Sequence, residues 1–142
     1  MRAKLLLLVA TFLLSSSIYS QEIGSVKNGE HSISLIKSND KFACMYSDVN
    51  TNILFPKRSF VFPNKETIYS IIIDGFKNES NHQVYVQMNK HTIVKFEYKR
   101  MNGKMVVKIV HNNLANNKIG NTSFLTPFQI DELFGIKLET KV

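Results

Sequence analysis

The sequence predicts an α+β fold: one small domain with a mostly antiparallel sheet of about five strands, one packed helix and a short C-terminal helix. Three observations lead to this prediction: a long hairpin around Asn102-Gly103, a helical spacing of apolar residues after Asn64, and a helix-start signal at Thr126-Pro127. A chain of 142 residues supports one domain with its own hydrophobic core. An all-β sandwich is the alternative if residues 65–76 form a strand.

The first twenty residues have the three-part pattern of a secretory signal peptide. A positively charged start precedes an almost unbroken apolar run over residues 5–14, and several serines follow up to Ser20. The run is shorter than the about 20 apolar residues that a helix needs to span a bilayer. We expect cleavage after Ser20, with a cut after Ser17 as the alternative. Residues 21–142 then form a single globular domain without a stable membrane span.

Cysteine and arginine usage bear on the compartment. Cys44 is the only cysteine, so no intramolecular disulfide can form even where the compartment permits one. The chain is rich in Asn, Lys and Ile and poor in Arg, a usage that resembles exported proteins of bacteria with AT-rich genomes. This resemblance is compositional and assigns no functional residue. The expected localisation is secreted or periplasmic, in a bacterium.

The first half of the domain predicts a hairpin followed by an interrupted strand. Residues 31–37 and 41–47 carry strand-forming residues and flank the turn signal Ser38-Asn39-Asp40. Residues 53–62 contain short apolar pieces broken by Pro56. Because proline has no N–H for a ladder, these pieces belong at a sheet edge or form an irregular crossing.

Residues 64–77 fit two patterns. Apolar residues recur on one helical face, namely Ile68, Ile71, Ile72 and Phe76. Asn64 can cap the start of a helix, directly after a proline. The many β-branched residues and Gly75 argue for a strand instead. The length of the segment favours the helix.

The second half contains the best-specified element of the chain. Residues 83–88 alternate as a strand, and residues 92–101 and 104–112 then flank Asn102-Gly103, a strong signal for a two-residue turn. If Met101 pairs with Lys104, one face of the hairpin becomes apolar. The expected pairs on that face are Tyr98 with Val107, Phe96 with Ile109 and Val94 with His111, and on the other face Glu97 meets Lys108.

A short helix is expected near the C-terminus. Thr126-Pro127-Phe128-Gln129 has the form of a capping box with proline at the first helical position. Gly135 is placed where a helix ends, so the helix should cover about residues 127–134. Residues 136–142 form either a last edge strand or a frayed tail.

Residues with catalytic potential are scattered along the chain. The four histidines (His31, His82, His91 and His111) lack metal-binding spacing, and Cys44 lies among apolar residues typical of a core. Carboxylates do not form the pair that glycosidases use. We therefore expect no catalytic constellation, no metal and no cofactor. The alternative is a small secreted hydrolase with dispersed active-site residues, such as His31, His111 or Asp74.

Positive charge is concentrated on the long hairpin. The formal net charge is +7, and residues 90–118 contain only one acidic residue, Glu97. The candidate binding residues are Lys95, Lys99, Lys104 and Lys108, which project to one side, and Arg100 near the turn. A solvated sheet face without a partner is the alternative interpretation.

These observations favour an exported, non-catalytic binding or interaction module. The partner would be an envelope or extracellular molecule, and an anionic one fits the basic side of the hairpin. A nucleic acid is not favoured, because Phe96 and Tyr98 point to the apolar face and export removes the protein from cytoplasmic nucleic acid. The sequence identifies neither the ligand nor the oligomeric state.

Overall fold

The computed structural model describes residues 20–50 and 57–137, which form two four-stranded antiparallel sheets and two helices. The first sheet contains, in spatial order, β1 (Ser20–Asn28), β2 (His31–Ser38), β3 (Lys41–Ser47) and β4 (Lys57–Phe62). The second contains β5 (His82–Asn89), β6 (Thr92–Met101), β7 (Lys104–Asn113) and β8 (Lys118–Asn121). Helix α1 (Lys65–Phe76) connects the two sheets, and helix α2 (Pro127–Leu133) follows β8.

The mostly antiparallel strand content with two helices agrees with the predicted class, but the expectation of about five strands in one sheet is wrong. β1 and β8 were not anticipated, and β4 does not share a ladder with β5. At the point where these two strands approach, the Asn89 side chain donates to the Val61 carbonyl oxygen over 3.0 Å. The chain therefore begins a second sheet after α1 instead of extending the first.

Residues 65–76 are helical, as the apolar spacing predicts, so the condition for an all-β sandwich is not met. The Asn64 side chain caps the helix by accepting from the Thr67 N–H over 3.0 Å. Gly75, which argued against a helix, lies under the Tyr98 ring, where a Cβ atom would overlap that ring. The Tyr98 hydroxyl donates to the Ile72 carbonyl oxygen over 2.6 Å, which fixes α1 on the second sheet.

The register predicted for the long hairpin is confirmed at every pair. Met101 lies opposite Lys104, and the three pairs on the core side and the Glu97–Lys108 pair follow as expected. Asn102 and Gly103 both have positive φ, as a tight two-residue turn requires. Glu97 and Lys108 are half-buried, with 30% and 23% of their side chains exposed, although a pair on the face away from the core is expected to be exposed.

Helix α2 has the capping box that the sequence predicts. The Thr126 hydroxyl accepts from the Gln129 N–H over 3.2 Å, and the Gln129 side chain accepts from the Thr126 N–H over 3.1 Å. The helix ends at Leu133, one residue earlier than expected, and Gly135 follows with a φ of 69°. Three predicted segments lie outside the described residues: the signal peptide except for its last residue, Ser20; the apolar piece 53–55; and residues 138–142 of the tail.

One hydrophobic core receives the inner faces of both sheets and both helices. Its most completely buried side chains come from four of the strands, from the two helices and from the segment before α2 (Ile33, Leu35, Tyr46, Ile72, Val94, Phe96, Tyr98, Val107, Leu125, Ile130 and Leu133). The Cys44 side chain is in this core, as predicted. Within the described ranges neither helix has the length and apolar character needed to cross a bilayer.

The two faces of the hairpin should differ in their contribution to stability. Phe96→Ala should lower the free energy of unfolding by about 3 kcal/mol or more, because the side chain is 1% exposed and its removal leaves a cavity. Lys108→Ala, the control on the opposite face, should cost under about 1 kcal/mol. Chemical denaturation of both variants measures the difference. Equal losses would show that the faces are assigned wrongly.

Candidate functional site

The predicted basic residues lie on the hairpin of β6 and β7, but their environments differ. The register places Lys95, Lys99, Lys104 and Lys108 on the face of the second sheet that points away from the core, here called the outer face. At its centre Glu97 forms ion pairs with two of these lysines: Lys95 Nζ lies 3.3 Å from one carboxylate oxygen, and Lys108 Nζ lies 3.9 Å from the other. The single carboxylate therefore offsets only part of the positive charge of these two lysines.

Further positive charge is at the turn end of the hairpin. Lys99 and Lys104 are exposed, and within the part of the chain that the structure describes neither forms an ion pair. Arg100 points to the other side of the ribbon, where its guanidinium is 3.7 Å from the Glu79 carboxylate. Of the five candidate residues, Lys99 and Lys104 thus present the most accessible charge.

Exposed apolar groups border the charged centre. Tyr85 on β5 lies opposite Lys95 and is 66% exposed, and Ile119 on β8 is 54% exposed. On the same face the Lys108 ammonium is 5.2 Å from the centroid of the Phe124 ring, within cation–π range. The outer face therefore combines aromatic, aliphatic and positively charged groups.

The second feature is a buried polar cluster where the two sheets meet. The Tyr46 hydroxyl on β3 and His111 Nδ1 on β7 are 2.9 Å apart in a buried hydrogen bond. The Phe60 ring packs on the imidazole with a centroid separation of 5.1 Å. Burial, and secondarily the nearby Arg58 charge, lower the pKa of His111, which favours the neutral imidazole.

Asp48 forms the charged half of this cluster. Its carboxylate accepts from Arg58 Nε over 2.9 Å and from the backbone N–H groups of Asn50 and Asn121, each over 3.1 Å. The Val49 N–H donates in turn to the Asn121 carbonyl oxygen over 3.0 Å. The segment after β3 is therefore tied to β8 of the other sheet by a side chain and by the backbone.

The cluster is closely packed at its centre. A Cβ atom at Gly120 would overlap the Tyr46 hydroxyl and come within 2.7 Å of Arg58 Cδ, so only glycine fits at this position of β8. His111 is 5% exposed and Asp48 is 2% exposed. Because these groups satisfy one another and are removed from solvent, the arrangement joins the sheets and gives a substrate no direct access.

The other candidates for catalysis are not brought together with His111 in this cluster. His82 stacks on the Tyr98 ring at 4.5 Å, and Asp74 forms an exposed pair with Lys77 over 3.0 Å. Burial raises the pKa of the Cys44 thiol to about 12, so the reactive thiolate is suppressed. Within residues 20–50 and 57–137, no three His, Cys, Asp or Glu side chains gather in a way that could hold a metal ion.

The polar cluster was missed at the sequence level, although a signal for it exists. Strand alternation continues from Phe42, Cys44 and Tyr46 to Asp48, which places that carboxylate on the core side of β3. A buried Asp requires a partner, and Arg58 is one of very few arginines in the chain.

Comparisons with protein-family models, with curated proteins and with solved structures find no match to this chain.

Two tyrosine variants test the structural role of the cluster. Tyr46→Phe should lower the free energy of unfolding by about 1–3 kcal/mol, because it leaves His111 Nδ1 without a partner in the core. Tyr85→Phe is the matched control on the exposed outer face and should change it by less than about 0.5 kcal/mol. Denaturant titration compares the two, and equal small effects would argue against a stabilising Tyr46–His111 bond.

Proposed function

We propose that the protein is an exported, non-catalytic binding module whose partner contacts the outer face of the second sheet. The observation that carries this proposal is the placement of the polar groups. The buried polar groups at the junction bind one another, whereas Tyr85, Lys99 and Lys104 remain open to a partner. Exposed aromatic side chains such as Tyr85 are enriched at binding surfaces, and exposed ammonium groups attract an anionic partner.

The charge distribution favours an anionic envelope or extracellular partner. Glu97 lies between Lys95 and Lys108 at the centre of the face, where two ammonium groups against one carboxylate leave an excess of positive charge. Lys99 and Lys104 lie beyond this centre, at the turn end, and add attraction without a neighbouring carboxylate in the described residues. An anionic group bound near the turn would thus meet both ammonium groups.

The buried cluster gives less support to the alternative hydrolase. His111 is the candidate base with the most perturbed environment, but its Nδ1 is occupied by the Tyr46 hydroxyl and its ring is packed against Phe60. A general base must reach a substrate proton within hydrogen-bond distance. The packing around His111 favours its role as a tie between the sheets.

Export is proposed from the N-terminal sequence pattern. The expected cut after Ser20 would remove one residue of β1 and leave the paired segment from Gln21 onward, which is compatible with the first sheet. The single buried Cys44 is likewise compatible with an oxidising compartment, because it has no partner thiol in the chain.

Charge reversal at the turn end tests the proposed binding face. Lys99→Glu combined with Lys104→Glu should reduce retention on immobilised heparin, a polyanion used here as the probe, so that the variant elutes at lower salt. Retention of the unmodified protein should itself weaken with salt, because exposed charges are screened over about 10 Å at 0.1 M. The measurement is the sodium chloride concentration at elution.

A charge-matched control separates the face from the net charge. Lys27→Glu combined with Lys41→Glu makes the same change on exposed residues of the first sheet and should shift elution much less. Equal shifts for the two double variants would contradict the proposed face. Turnover of ester, peptide or glycan substrates that is lost in His111→Gln, while circular dichroism shows that this variant is still folded, would favour the hydrolase instead.

A further inference from the structure

β5 is an open sheet edge of unusual composition. It pairs with β6 on one side, and among the described residues no backbone hydrogen bond reaches its other side. Its eight residues include no Pro, Lys, Arg, Asp or Glu. Natural proteins protect such edges with charges, prolines, bulges or a covering element, because an open edge pairs readily with another strand.

The other three outermost strands have that protection. β1 has a register shift between Glu22 and Gly24 and is covered by α2, whose backbone lies against Gly24. β4 begins with the charged pair Lys57-Arg58, and β8 is only four residues long and is tied to Val49. β5 alone among the four is long and uncharged, and its register shift lies after Gln87, at its end.

The sequence of β5 is complementary to itself. Residues 83–87 read Gln-Val-Tyr-Val-Gln, which is the same in both directions. In an antiparallel pair of two such strands centred on Tyr85, each Gln83 faces Gln87, each Val84 faces Val86, and the two tyrosines face each other. Residues that face each other directly point to the same side of a sheet. Glutamine would therefore meet glutamine and tyrosine meet tyrosine on one face, and valine would meet valine on the other.

Burial and space at this edge fit a second strand. Val84 and Val86 point to the core side yet are only half-buried, whereas Val94 and Phe96 on the neighbouring strand are 0% and 1% exposed. A groove of about 190 Å³ runs beside Val86 and Met88, bounded by the start of α1 and the end of β4. Its lining is mainly apolar, which suits valine side chains from an added strand.

We infer that two copies of this chain associate through β5, joining their second sheets into one continuous antiparallel sheet of eight strands around a two-fold axis at Tyr85. The interface is isologous, as expected of a symmetric dimer. It covers the half-buried valines and the open edge, and it places the two outer faces side by side. The inference stands on the edge itself and does not require the proposed ligand.

Sedimentation equilibrium of the protein, in the form that the expressing cell releases, is the first test. We expect a mass of two copies, reduced to one copy by Tyr85→Lys, which places two ammonium groups opposite each other at the axis. The double variant Gln83→Lys with Gln87→Glu should stay dimeric, because each lysine then faces a glutamate. Tyr85 is 66% exposed, so Tyr85→Lys should keep the monomer folded, which circular dichroism checks.

Cross-linking tests the register directly. Tyr85→Cys should form a disulfide-linked dimer under mild oxidation, because facing Cβ atoms lie about 4.5–5.5 Å apart, close to disulfide geometry. Gln83→Cys alone should not cross-link, since two such positions lie four residue steps of about 3.4 Å apart along the strands. Mixing Gln83→Cys with Gln87→Cys should restore the cross-link. Cys44 is buried and does not compete.

Three results would overturn the inference. The first is a monomer at all concentrations tested, with no cross-linking of Tyr85→Cys. The second is a dimer whose mass Tyr85→Lys leaves unchanged, which places the interface elsewhere. The third is a monomer whose β5 amides become protected only when an extended apolar peptide is added, which assigns the edge to a foreign strand. Each result is distinguishable from loss of heparin binding, because none depends on Lys99 or Lys104.

Discussion

The junction between the two sheets is the constraint on which the rest of the structure depends. The sheets share no ladder, so their relative position is set by the common core, by α1 and by the polar cluster around Asp48 and His111. Apolar packing stabilises the association but is not directional. The Tyr46–His111 bond and the donors on the Asp48 carboxylate are directional, and they fix β3 against β7 and β8.

This constraint explains why the polar groups at the junction are assigned to stability and not to catalysis. The cluster contains a histidine, a tyrosine, an aspartate and an arginine, which are residue types found in active sites. Here the histidine is hydrogen-bonded to the tyrosine, and the aspartate to the arginine. The Asp48 carboxylate is buried whereas the Arg58 side chain is 30% exposed, so loss of Arg58 would leave a buried charge with fewer partners. The surfaces that we propose for binding are therefore exposed ones: the outer face of the second sheet and the edge of β5.

Local patterns predicted the elements whose partners are near in sequence. The Asn102-Gly103 turn and the alternation around it determined the register of β6 and β7, and the Thr126 capping box determined the start of α2. β1 was missed because Gly24 and its register shift interrupt alternation, and that glycine is needed where α2 approaches. β8 is too short to give a pattern of its own.

The junction could not be predicted from such patterns, because its partners are far apart in the chain. Tyr46 and His111 are 65 residues apart, and Asp48 and Asn121 are 73 residues apart. The hairpin pattern correctly indicated that His111 packs in the core, but the hydroxyl that satisfies it belongs to the other sheet. The basic side of the hairpin was predicted as a set of residues. The pairing of Glu97 with two of them, which offsets part of the charge, depends on the side-chain conformations of Lys95 and Lys108.

Native-state hydrogen exchange measures most directly whether the junction joins the sheets into one cooperative unit. The N–H groups of Val49 and Asn121 bond across the junction, and the Val107 N–H bonds to the Leu125 carbonyl oxygen within the core. If the junction joins the sheets, all three N–H groups exchange with the same free energy of opening, equal to that of global unfolding. Much faster exchange at Val49 and Asn121, with Val107 still protected, would show that the sheets separate independently and would contradict a single cooperative unit.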